Sequence, residues 1–149
     1  TMPSLFDKST QIEMTTRINK LSPSSQRRWG KMNVSQMLKH LTIAFSVPIN
    51  KIQLPKENLY YVSANPITRW LMIKAVTKWP KNMVTAEAFK VVDDPDFDNA
   101  KKDFLSVYNE FVNAKKFDGC HPVFGVMSKD LWGDAMAIHL NHHLEQFGV

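Results

Sequence analysis

The chain has 149 residues, 44% hydrophobic and 11% aromatic, which suffices for one domain around one packed core. Its formal net charge is +5, yet the basic residues fall in short pairs (Arg27-Arg28, Lys101-Lys102, Lys115-Lys116) with no dense run, so a solvated surface is expected rather than a nucleic-acid interface. No apolar run of about eighteen residues exists to span a membrane, the single Cys120 excludes an internal disulfide framework, and the opening Thr1-Met2-Pro3-Ser4-Leu5-Phe6-Asp7 lacks the basic-then-apolar order of a secretory signal, so a cytoplasmic protein is expected.

Four helical segments are predicted. The first runs from about Ser9 to Leu21, with Met14, Ile18 and Leu21 as its apolar row, and stops at Ser22-Pro23-Ser24. The second starts at Asn33, a plausible N-cap, and reaches Val47 ahead of Pro48. Val34, Leu38, Leu41 and Phe45 form one stripe, and Met37, His40, Ala44 and Val47 a neighbouring row. Ser35, Gln36, Lys39, Thr42 and Ser46 fill the polar arc, which sets His40 at the edge of the apolar face.

A long connection follows, from Pro48 to Pro95. It carries a helical piece capped by Asn65 with Pro66 in its first turn, from which Trp70, Leu71, Ala75 and Trp79 are expected to pack. Val84 to Val92 is expected to be extended or irregular. So long a connection inside one domain suggests a bundle whose middle helices are joined by a crossover.

The third main helix runs from about Asp96 to Lys115, with Phe97, Ala100, Phe104, Val107, Tyr108 and Phe111 as a broad apolar face. Asp93, Asp94, Asp96 and Asp98 crowd its start, where the helix dipole favours negative charge, and Asp118-Gly119 stops it. The fourth runs from a Ser128 cap to about Gln146. Trp132, Met136, His139, His143 and Phe147 line one face, with Gln146 at its margin and His142 on the flank.

His139 and His143 are four apart, so a helix stacks both imidazoles within reach of one metal ion. His40 on the second helix offers a third. Three neutral imidazoles with an open position describe a catalytic metal site; a closed, structural site needs a fourth ligand, for which Cys120 is the candidate thiolate. The zinc-protease motif is excluded, because Leu140 stands where that motif needs glutamate.

The other candidates have plainer readings beside the functional ones. His121, between Cys120 and Pro122 in a tight loop, is a ligand, an acid–base group, or a ring that satisfies loop backbone. Cys120 reads as a plain loop cysteine more readily than as a nucleophile. Trp132 reads as a core anchor before a pocket wall, with Trp29, Trp70 and Trp79 as weaker pocket candidates. Met32, Met37, Met72, Met127 and Met136 read as core filler. Asn141, Gln146 and backbone carbonyls are the options for orienting the two helical histidines, with His142 as a surface or supporting residue.

Three segments, HLNHHLEQFG near the end, WGKMNVSQMLKHL upstream and HPVFGVMSKDLWG between them, make the chain resemble the DinB-like (YfiT/DinB) superfamily from about Arg17 to Gly148, and within it a branch of unknown function. That resemblance implies an all-α, up-down-down-up four-helix bundle holding a divalent metal, zinc or nickel, on three histidines. The ligands then fall on His40, His139 and His143, and Gln146 matches a glutamine that commonly follows the last ligand. Characterised relatives include S-transferases that use low-molecular-weight thiols and a maleylpyruvate isomerase, and many form dimers. The expectation is a metal-dependent enzyme acting on a small electrophilic substrate by thiol transfer or metal-assisted hydrolysis. The alternative is a non-catalytic metal- or ligand-binding bundle.

Overall fold

The structure, a computed structural model, describes residues 3–83 and 85–149. Thr1 and Met2, which open the stretch read for a secretory signal, and Val84, the first residue of the expected extended run, lie outside the described residues. The chain is mostly helical. Its elements are α1 (Lys8–Asn19), α2 (Val34–Ser46), α3 (Tyr60–Ser63), α4 (Pro66–Lys74), a 3-10 turn at Glu87–Phe89, α5 (Phe97–Asn113), a hairpin of β1 (Cys120–His121) and β2 (Gly125–Val126), and α6 (Lys129–Gln146). Among the described residues, no helix is long and apolar enough to cross a membrane.

Local chemistry sets the helix starts. The Asn33 side chain accepts from Gln36 N–H at 2.8 Å, while Asn33 N–H donates to the Gln36 side chain at 2.9 Å, a reciprocal capping box that satisfies two otherwise orphaned donors. Asn65 accepts from the amides of Ile67 and Thr68, with Pro66 pre-set for the first turn. Asp96 caps α5 through Asn99 N–H and Ser128 caps α6 through Leu131 N–H.

Packing then follows the apolar rows. Thr10, Met14 and Ile18, four apart on α1, are all buried. The tightest interface joins α2 to α5, where the Phe45 ring meets Phe104 at 5.4 Å and Phe111 at 5.1 Å, both edge-on. Helix α6 contacts α1, α2 and α4, and Lys74 of α4 pairs with Asp134 of α6.

Helix α6 departs from the one-face expectation. Ala135, Ala137, Ile138, Leu140, Asn141 and Leu144 are buried beside the expected stripe, so it is enclosed on nearly all sides. Ser35 and Ser46, placed on the solvent arc of α2, are buried as well, and the Ser46 hydroxyl donates to the Thr42 carbonyl at 2.7 Å. In the long connection, Ile73 is the core residue of α4. Trp70 and Leu71 are each more than half exposed and Ala75 is exposed, because the helix lies with its other face on the molecule. The run before α5 holds the 3-10 turn that buries Phe89. The loop expected around Cys120 is the β1–β2 hairpin, pairing Cys120 with Val126 and His121 with Gly125.

Gly119 shows how closely that hairpin is drawn in. Its N–H donates to the Pro48 carbonyl at 3.2 Å, and a Cβ there would lie 1.7 Å from the Val47 carbonyl oxygen. Backbone on both sides leaves nothing flexible to yield. Gly119→Ala is expected to destabilise the fold by about 3 kcal/mol, the upper range for overpacking, as read by urea unfolding; an unchanged midpoint would refute the contact.

Candidate metal centre

Helix α6 runs through the core, and its i, i+4 spacing places the His139 and His143 rings together, with centroids 5.0 Å apart. Helix α2 packs alongside and brings His40 to both, at 5.0 Å from His139 and 4.8 Å from His143. One nitrogen from each of the three rings lies within 4.8 Å of the others, and the Nε2 atoms of His40 and His139 are 2.9 Å apart. All three residues are less than a tenth exposed.

Hydrogen bonds orient two of the rings. His40 Nδ1 lies 2.8 Å from the Phe89 carbonyl, which only accepts, so Nδ1 carries the proton and Nε2 keeps a free lone pair. His143 Nδ1 lies 2.8 Å from Gln146 Oε1. The Gln146 amide donates through Nε2 to the Trp29 carbonyl at 2.9 Å, so its oxygen must face the imidazole. His143 therefore also keeps Nε2 unprotonated and turned into the group. This is the outer support that metal-ligating histidines require.

Burial strips water from all three rings and disfavours their charged forms. It holds His40 below the ordinary imidazole range against the opposing bond to the Phe89 carbonyl, and His139 and His143 well below it, with repulsion from neighbouring imidazoles, His142 among them, adding to the effect. Neutral imidazoles whose ring nitrogens converge fit a borderline divalent ion such as zinc or nickel. Among the described residues, no cysteine or carboxylate joins the group.

The remaining candidates take other places. The His121 Nδ1 accepts from the amides of Val123 and Phe124, both at 3.0 Å, so its ring ties the hairpin turn. Packed against Phe89, Phe124 and Trp132, it is pushed down by burial to about 3. Cys120 lies on β1 with Sγ 3.8 Å from the His121 carbonyl. Trp132 is fully buried, a core anchor. His142 is partly exposed and packs edge-on against Trp29 and His143.

Sequence reasoning missed two contributors. The Phe89 and Trp29 carbonyls orient His40 and Gln146, and a backbone carbonyl has no residue signature. Trp79, read as a packing residue and a weaker pocket candidate, lays its indole 5.0 Å from the His139 ring and covers it.

A buried triad of neutral imidazoles, two of them held by outer hydrogen bonds, in a mostly helical chain defines a candidate metal-binding helical protein. Residues 6–148 match the family described as Protein of unknown function (DUF1569), and the chain belongs to that family. No curated protein and no solved structure matches it.

Proposed function

We propose that this protein is a divalent-metal-dependent enzyme related to the DinB-like superfamily, with α1, α2, α5 and α6 as an up-down-down-up four-helix bundle and His40, His139 and His143 as ligands to zinc or nickel. The observation that carries the reading is the convergence of three buried imidazole nitrogens, two of them left unprotonated by fixed acceptors on the opposite ring nitrogen. A bound divalent ion would supply Lewis acidity and lower the pKa of a thiol or water beside it.

The protein's own residues would do the rest. The Phe89 carbonyl and Gln146 hold two ligand protons on the outer nitrogens, and Trp79 shields His139 from water. Cys120 stands outside the group, which supports an open ligand position and hence the catalytic reading over a closed structural site. The substrate would be a small electrophile, attacked by a low-molecular-weight thiol or by water, in a cytoplasmic setting without nucleic-acid or membrane partners. The exposed apolar side chains of α3 and α4, among them Tyr61, Val62, Ile67 and Trp70, support a homodimer.

Zinc- or nickel-loaded protein should accelerate conjugation of cysteine to 1-chloro-2,4-dinitrobenzene, or hydrolysis of 4-nitrophenyl acetate, relative to metal-free protein and to His143→Ala. Equal rates in all three preparations for both reactions would reject the enzyme and leave the alternative, a non-catalytic metal-binding bundle.

A further inference from the structure

Beside the triad lies a cleft of about 340 Å³ lined by Arg28, Trp29, Lys78, Trp79, Lys81 and His142 among others. Its walls are tied together by the fold. Arg28 N–H donates to the Gln146 carbonyl at 2.7 Å, which fixes the α1–α2 loop to the end of α6. Gly30 N–H donates to Asn82 Oδ1 at 3.1 Å, which fixes the same loop to the segment carrying Trp79 and Lys81. Trp79 is the partition: its indole lines the cleft and also packs against His139.

The charge in this cleft is unbalanced. Lys78 is matched by Glu145 at 2.9 Å. Among the described residues, no side-chain carboxylate pairs with Arg28 or Lys81. Lys81 Nζ instead sits 4.8 Å over the Trp29 ring. Two cations without a carboxylate partner among the described residues, beside two indoles, form a pocket for an anion with a flat apolar body, since guanidinium and ammonium groups recognise carboxylates and indole surfaces favour planar apolar groups.

We propose that this cleft binds a small organic carboxylate, its charge held between Arg28 and Lys81 and its apolar body against Trp79. The proposal names the substrate class of the metal-centre reading and rests on that reading for its catalytic meaning; the binding itself does not require the metal.

The test is a titration with benzoate, and with benzamide as its uncharged analogue, followed by the tryptophan indole N–H signals in nitrogen–proton correlation spectra. Trp29→Phe and Trp79→Phe assign the two cleft signals. Benzoate should shift both saturably while the signal of the fully buried Trp132 stays in place. Benzamide should bind at least about tenfold more weakly, and benzoate should lose about tenfold in the Arg28→Gln, Lys81→Gln double variant. Metal-free protein and His143→Ala should bind benzoate as the loaded protein does. Absence of saturable shifts up to roughly 10 mM, a weak-binding limit, would overturn the proposal. Equal binding of benzamide, or full affinity in the double variant, would do the same. Binding only with zinc present, lost in His143→Ala, would place the anion at the triad and also overturn it. Benzoate binding by a protein that takes up no zinc would keep the cleft and reject the metal centre.

Discussion

Protein purified without a histidine tag is expected to carry near-stoichiometric zinc or nickel, and His143→Ala, His139→Ala and His40→Ala are each expected to lose it. Three protein ligands are the minimum of an ordinary catalytic site, and removing one leaves only two imidazoles to hold the ion. The loss should reach at least about a hundredfold in affinity, beyond the range typical of changes to an outer supporting group. Gln146→Leu separates geometry from ligation. It leaves all three imidazoles in place but deletes the acceptor that holds His143 Nδ1–H and the donor that meets the Trp29 carbonyl. Its affinity should fall about 10–100-fold, between wild type and the ligand variants. Elemental mass spectrometry and competition with a chelator measure both effects, with circular dichroism confirming the fold. Wild-type metal content in His143→Ala would sink the three-histidine assignment.

Metal-free protein is expected to lose stability steeply on mild acidification, beginning near pH 6.5. Burial lowers the pKa of His40, His139, His143 and His121 in the folded state. The unfolded chain, with ordinary imidazoles, binds protons first as the pH falls, so acid favours unfolding. The stabilising contribution is fully present above about pH 6.5 and is lost progressively toward each folded pKa. For His121 that value is about 3, so this one residue should account for about 2 kcal/mol lost between pH 6.5 and pH 5. The triad adds in the same direction.

Carboxylates act lower. Lys39 holds Asp93 down, Lys116 holds Asp118 down and Lys78 holds Glu145 down, so their contributions fade only as the pH falls through and below the ordinary carboxylate range. Urea midpoints at pH 7, 6, 5 and 4 resolve the two windows. A midpoint unchanged from pH 7 to pH 5 would contradict neutral burial of these rings. In His121→Gln the decline over that interval should be shallower.

Much of the helical plan was legible because it is short-range. Asn33, Asn65 and Ser128 act as caps through groups two or three residues away, and the apolar rows of α1, α2 and α5 follow from helical spacing. Where a helix is enclosed, periodicity loses its meaning. Small and polar residues on every side of α6, such as Ala137 and Asn141, concealed its burial because a one-sided pattern exists only when one side meets water. The exposure of Trp70 and Leu71 was misread for the related reason that apolar character does not say which face of a short helix finds a partner.

The sequence by itself determined α1, α2, α4, α5 and α6, the caps Asn33, Asn65 and Ser128, and the i, i+4 stacking of His139 with His143, all set by interactions within a few residues. His40 was offered as a third candidate from its place on the second helix, and the resemblance pointed to the same residue. Only the tertiary structure decided that α2 delivers His40 to the pair across 99 residues, that the Phe89 and Trp29 carbonyls orient the donors, and that Trp79 stands between the triad and a cationic cleft. Those contacts depend on the path of the long connection and on which surfaces exclude water from one another, and residue spacing along the chain carries neither.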